Sequence, residues 1–224
     1  EFSGAGSQAF TSASITTGVR GGDAFSITFS GSLDGQSGSM FLTTQNSTVP
    51  IETSPISMSR ALDEVHGFTM ATFYQTTSSK TSTTILAMDI KSGSTDVNGW
   101  HINRQGDAIG AEVTREGVNI LDNDTSADGL RTGTLTPRDG KFHHIALTYD
   151  NITGTGSVYF DGVLQKQGNS RGFITGSNQI YRFVVGTGPG SAQGYDDATF
   201  DETRFYTRAL TPSEINQLYL NPDG

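Results

Sequence analysis

Apolar residues in this chain come in short runs of about five to eight, separated by Gly, Ser, Thr, Asp and Asn. The pattern is sharpest from Gly67. In GFTMATFYQTT, Phe68, Met70, Thr72 and Tyr74 alternate with Thr69, Ala71, Phe73 and Gln75, the two-residue period of a strand. Further strands are predicted at TTILAMDI, GWHINRQ, AIGAEVTRE and QIYRFVVG. The stretch DGKFHHIALTYDNITGTGSVYFDGVLQKQ reads as three strands, with Asp161-Gly162 able to supply the positive φ angles of a two-residue hairpin. Residues 1–66 carry patches such as AFSITF and MFLTT that predict strands without a legible register. No repeat of 20 to 50 residues and no linker-like run interrupts the chain. One domain over residues 1–224 is therefore expected, with about the first 20 residues a loosely attached or extra strand segment.

The ending, FDETRFYTRALTPSEINQLYLNPDG, predicts a strand running into a helix. Strand alternation puts Asp201, Thr203 and Phe205 on one face, expected to be buried, and Glu202 and Arg204 on the other. Thr211 is placed to cap the helix, Pro212 fits its first position, and Glu214 completes a capping box. Leu210 and Ile215 form a hydrophobic staple, while Ile215, Leu218 and Tyr219 make one apolar stripe ending before Pro222. So short a helix is marginal alone in water, so its stripe must dock on the sheet.

Composition narrows the class. Only 17% of residues are charged and 28 are glycine, the texture of an all-β sandwich or barrel. The net charge of −9 argues against a nucleic-acid partner, whose phosphates demand Lys and Arg. No apolar run approaches the roughly 18 residues of a membrane span, so no membrane insertion is expected. The start lacks the basic-then-apolar pattern of a signal peptide, so the chain reads as a mature or excised piece of a larger multidomain protein. The absence of cysteine excludes disulfides, zinc thiolate sites and thiol catalysis.

Two motifs carry a family resemblance. Asp201, Glu202, Phe205, Tyr206, Arg208, Ala209, Leu210, Thr211, Glu214, Ile215, Leu218 and Tyr219 resemble the C-terminal signature of laminin-G-like, concanavalin A-like modules. Upstream, DGKFHHIALTYD followed by GSVYFDGVL resembles that family's structural hairpin, with Phe142 in place of the usual Trp. The resemblance implies a concanavalin A-like jelly-roll β-sandwich of two antiparallel sheets with a short C-terminal helix. It also implies a noncatalytic, extracellular or cell-surface module that binds glycan or a protein partner for adhesion or targeting. The alternatives are a polysaccharide hydrolase or lyase of the same fold, and a structural spacer.

Catalytic patterns are missing. Glucanases of this fold carry acids at alternate positions of one strand, and no such triplet occurs; Asp201 and Glu202 are adjacent and so point to opposite faces. In QIYRFVVG, Gln179, Tyr181 and Arg182 lack the His of a lyase set. His66, His101, His143 and His144 show no metal-ligand spacing, and of His143 and His144 one is expected to pack inward and one to face out. Calcium is the cofactor the loops suggest, because Asp196, Asp197 and Asp201 lie near one another, as do Asp122, Asp124 and Asp128. The resemblance favours Asp196 or Asp197 at a sandwich rim, whereas an inward-facing Asp201 is expected to accept backbone amides. For sugar, Trp100 flanked by His101 and Arg104, with Tyr74 and Tyr195, offers an aromatic platform with polar neighbours; the competing reading places Trp100 in the core.

Overall fold

The computed structural model describes residues 12–17, 25–30, 40–43, 67–92, 95–115, 118–170, 179–186, 197–206 and 208–222. Its strands are β1 (Ser12–Thr17), β2 (Phe25–Ser30), β3 (Met40–Thr43), β4 (Gly67–Thr76), β5 (Ser82–Ser92), β6 (Thr95–Gln105) and β7 (Ala108–Arg115). They continue with β8 (Val118–Leu121), β9 (His143–Asp150), β10 (Thr155–Phe160), β11 (Val163–Asn169), β12 (Gln179–Val185) and β13 (Ala198–Tyr206), and a helix α1 (Pro212–Leu220) follows. They form a seven-stranded sheet, β1-β2-β13-β4-β9-β10-β11, and a six-stranded sheet, β3-β12-β5-β6-β7-β8. Every described pairing is antiparallel.

The alternation read along β4 sets the layers. Phe68, Met70 and Tyr74 enter the main core with Trp100 and Ile102 of β6 and Ile109, Ala111 and Val113 of β7, which joins the two sheets. Phe68 stacks on Trp100 with centroids 4.7 Å apart. The opposite face of β4 is buried too, because α1 covers it: Ala71, Ala146, Tyr159, Leu210 and Ile215 make a second apolar cluster. Thr69 fastens the approach to the helix, donating to the Arg208 carbonyl and accepting from the Leu210 amide, both at 2.9 Å.

The helix starts as its sequence requires. Thr211 accepts from the Glu214 amide, and a Glu214 carboxylate oxygen accepts from the Thr211 amide at 2.8 Å. Arg208 closes on the same carboxylate, whose pKa falls to about 2 through that bond and those to Thr211. Ile215 is the buried anchor, while Leu218 is only half-buried. Thr211→Ala is expected to cost about 1 kcal/mol and Ile215→Ala about 2 to 5 kcal/mol. Denaturant titration checks both.

Asp161 and Gly162 take φ angles of 51° and 75°, so the two-residue hairpin forms as predicted. Gly162 is also required by close approach, since a Cβ there would lie 2.8 Å from Asn216 and 3.0 Å from Tyr219 of α1. The alternation predicted for β13 fails at one place. A bulge between Asp201 and Arg204, with Glu202 at φ 47°, shifts the parity of the strand. Asp201 pairs with Phe73 on the helix-covered side, whereas Phe205 pairs with Met70 and packs against the main core. The two therefore do not share a face.

One flank of the sandwich is closed by the loop after β8. Lys166 of β11, the edge strand of the seven-stranded sheet, donates to the Ser126 carbonyl at 2.7 Å. Gly168 approaches so closely that a Cβ would lie 2.2 Å from the Asp128 carbonyl oxygen.

Candidate functional site

The sequence groups Trp100, His101 and Arg104, but a strand sends neighbours to opposite faces. Trp100 is 0% exposed, and its indole N–H donates to the Thr114 carbonyl at 2.6 Å. Arg104 is equally buried, its Nε donating to the Tyr74 hydroxyl at 2.9 Å and one Nη to the Lys80 carbonyl at 2.7 Å. Trp100, Tyr74 and Arg104 are thus core residues, and the expected aromatic platform is corrected: no ring face of Trp100 or Tyr74 reaches solvent. Tyr195 lies outside the described residues.

His101 points the other way, to the outer face of the six-stranded sheet. Its cross-strand partner is Glu112, and the imidazole Nε2 meets the Glu112 carboxylate. Asn119 donates to the same carboxylate at 2.5 Å and accepts from Thr114 at 3.0 Å. One position along, Asn103 accepts from Thr84 at 3.2 Å and pairs with Gly110. The space above Gly110 is filled by Asn123, whose Oδ1 lies 1.8 Å from where a glycine Cβ would stand. Arg131 holds Asn123 in place, with Nε donating to its Oδ1 at 3.1 Å and Nη2 to its backbone carbonyl at 2.7 Å.

The electrostatics of this cluster are settled by hydrogen bonding rather than burial. Burial works to raise the Glu112 pKa, but hydrogen bonds from His101 and Asn119 and the charges of His101 and Arg131 bring it below the usual value. Glu112 is an anionic acceptor. Among the described residues no group of three His, Asp or Glu could hold a metal ion, and the described partners of Glu112 are His101 and Asn119. The sequence reading missed Asn103, Glu112, Asn119, Asn123 and Arg131. The signal for two of them was present, because GWHINRQ and AIGAEVTRE alternate apolar residues with His101, Asn103 and Glu112.

The acidic candidates are dispersed. Asp197 lies at the rim, its carboxylate 3.5 Å from Lys80 Nζ and its carbonyl accepting from Thr76. Asp201 is buried further along β13 and accepts from the amide of the next residue, Glu202, at 2.9 Å, rather than from a neighbouring loop as expected. Asp124 accepts from the amide and hydroxyl of Ser126, and the Asp122 carbonyl accepts from Leu130. Asp197, Asp201, Asp122 and Asp124 do not assemble a metal centre among the described residues. Asp196 lies outside them.

That rim carries a shallow crevice of about 340 Å³ walled by Thr77, Asp107, Thr136, Arg138 and Asp139. Beside it, His143 is held between two carboxylates, with Nδ1 2.8 Å from Asp161 and Nε2 3.0 Å from Asp139. His143 and His144 take opposite faces of β9, yet both are buried, because Phe160 stacks on His143 while Phe73 and Tyr219 flank His144.

Two facing antiparallel sheets, one helix-backed and one bearing a polar outer face, define a lectin-type β-sandwich. Residues 51–216 match the family model of the concanavalin A-like lectin/glucanases superfamily, of laminin-G type, and the chain belongs to this family. No curated protein matches the chain. Among solved structures it is similar to the binding domain of botulinum neurotoxin DC in complex with rat synaptotagmin II, at 14% identity and a TM-score of 0.55, covering 93% of this chain and 45% of that one. It is similar to a Trypanosoma rangeli sialidase in complex with sialic acid, at 18% identity and a TM-score of 0.57, covering 94% of this chain and 30% of that one. A third is a botulinum neurotoxin type C structure described as dependent on two ganglioside molecules for cell entry, at 14% identity and a TM-score of 0.55, covering 92% and 45%. The chain thus spans less than half the length of these solved chains, and the likeness establishes the fold. No helix among the described residues is long and apolar enough to cross a membrane.

Proposed function

We propose that this chain is a noncatalytic, extracellular binding module that recognises a glycan, serving adhesion or the targeting of a larger protein. The observation that carries the reading is the outer face of the six-stranded sheet, where planar polar groups gather around an anionic Glu112 whose partners among the described residues, His101 and Asn119, include no second carboxylate. Glycoside hydrolysis by the common routes needs two carboxylates, one of them protonated at working pH. Recognition needs only fixed donors and acceptors. The toxin domains and the sialidase it resembles bind gangliosides, a protein receptor or sialic acid, which supports the ligand class.

A protein-partner form of the reading draws on Val163, Leu164 and Leu220, exposed apolar residues where β11 passes α1. The test is a glycan array run beside a polysaccharide panel assayed for released products. Binding without products is expected, and product release from any polysaccharide overturns the noncatalytic reading.

Calcium belongs to this proposal through Asp197 at the rim, where an ion would displace Lys80 from its carboxylate. Calcium at about a hundredfold excess over Kd would add about 2.7 kcal/mol. The expected result is a melting temperature that rises with calcium and falls with chelator. A curve unchanged by both removes calcium from the reading.

A further inference from the structure

The outer-face cluster contains two hydrogen-bond donors that its own residues leave unused. Asn103 Nδ2 and Asn123 Nδ2 are both buried and donate to no acceptor among the described residues. Buried amide N–H groups almost always find a partner, because leaving one unmade costs the full desolvation of that group. The two amides are close. Asn103 is the cross-strand partner of Gly110, such partners have Cβ positions about 5 Å apart, and Asn123 Nδ2 lies 2.9 Å from the Cβ position of Gly110. Asn103 forms the floor, 0% exposed, while Asn123, Arg131, Glu112 and Asn119 are half-buried and open the cluster towards solvent.

We propose that this cluster binds a neutral saccharide through a pair of adjacent hydroxyls, with Asn103 and Asn123 donating to the hydroxyl oxygens and Glu112 accepting a hydroxyl proton. This rests on the binding-module reading and names its ligand. A hydroxyl both donates and accepts, so a pair of them satisfies amide donors and a carboxylate acceptor set side by side. A carboxylated sugar would bring its charge against Glu112 and against a chain of net charge −9.

Gly110 supplies a variant that moves a donor without deleting it. The atoms nearest a methyl at Gly110 are those of the Asn123 amide, so the substitution displaces that side chain. The experiment is an array of neutral and sialylated glycans probed with the wild-type chain, Asn123→Ala, Gly110→Ala and Glu112→Gln, with Thr211→Ala as a control on the distant helix. The expected result is wild-type binding to neutral glycans, weakened about tenfold or more in each of the first three variants and unchanged in the control. Melting temperatures of Asn123→Ala and Gly110→Ala should stay within about 4 °C of wild type.

Wild-type binding that survives both Asn123→Ala and Gly110→Ala overturns the proposal and leaves the binding-module reading standing. So does binding confined to sialylated glycans, or a crystal of the complex in which waters occupy both amides and the sugar lies elsewhere. A wild-type chain that binds no glycan overturns both.

Discussion

Trp100→Ala is expected to cost about 3 to 5 kcal/mol, the largest single-residue effect in this molecule, and to leave the chemistry of the outer face untouched in the fraction that remains folded. The ring is the largest fully buried side chain, stacked 12° off parallel with Phe68 at the junction of the two sheets. Its deletion removes both apolar burial and one of the contacts that join β4 to β6. Trp100→Phe separates two contributions. Phenylalanine keeps most of the packing but removes the bond to the Thr114 carbonyl, a loss of about 0.5 to 1.5 kcal/mol. Urea titration of the three proteins measures the effect. A Trp100→Ala variant as stable as wild type would return the ring to the surface and restore the sugar-platform reading.

The second large effect is a dependence of stability on pH that runs through His143. Both ring nitrogens face carboxylate oxygens, so only the doubly protonated imidazolium donates to both. Burial opposes that charge, but the hydrogen bonds to Asp161 and Asp139 and their charges prevail, raising the His143 pKa above 6.5. Asp139 is lowered to about 2 by its bonds to the Lys141 amide and His143, and Lys141 Nζ lies 3.4 Å from it. Asp161 also accepts from the His144 amide at 2.9 Å.

The sign follows from the direction of each shift. The His143 contribution is fully present below the unfolded value of 6.5 and is lost as pH rises through the higher folded value. The Asp139 contribution is present above 3.8 and is lost as pH falls towards 2. Between these limits His143→Gln should cost about 2 to 3 kcal/mol, read as a difference in melting temperature that is largest near pH 5 and shrinks by about pH 9. A difference constant across that range would refute the charged clamp.

The parts of this fold legible in the sequence were those fixed by local chemistry. The Thr211 and Glu214 capping box, the Asp161-Gly162 turn and the period of β4 depend on residues within a few positions of one another, and each formed as read. What escaped was set by distant partners. The register of β2 is fixed by β13 near the other end of the chain. Burial on both faces of β4 depends on where α1 docks, and the parity of β13 on a bulge at Glu202 that no composition signals.

The same division governs the candidate site. His101 was picked out for its proximity to Trp100 in sequence, yet strand geometry separates the two, and its true companions come from β7, β8 and the loop beyond. Strand alternation was enough to place His101 and Asn103 together. Asn123 and Arg131 required knowing that a loop folds back over Gly110.

The loop that lies against β11 has a consequence for how the molecule behaves in a crowd. An exposed edge strand offers free backbone groups to any other chain in extended form, the first step towards fibrils and domain-swapped polymers. Here Lys166 is tied to Ser126, and the backbone at Gly168 is pressed against Asp128, so an incoming strand meets a charged side chain and an occupied flank. A chain crowded among its own copies is protected at that edge against polymerising with them.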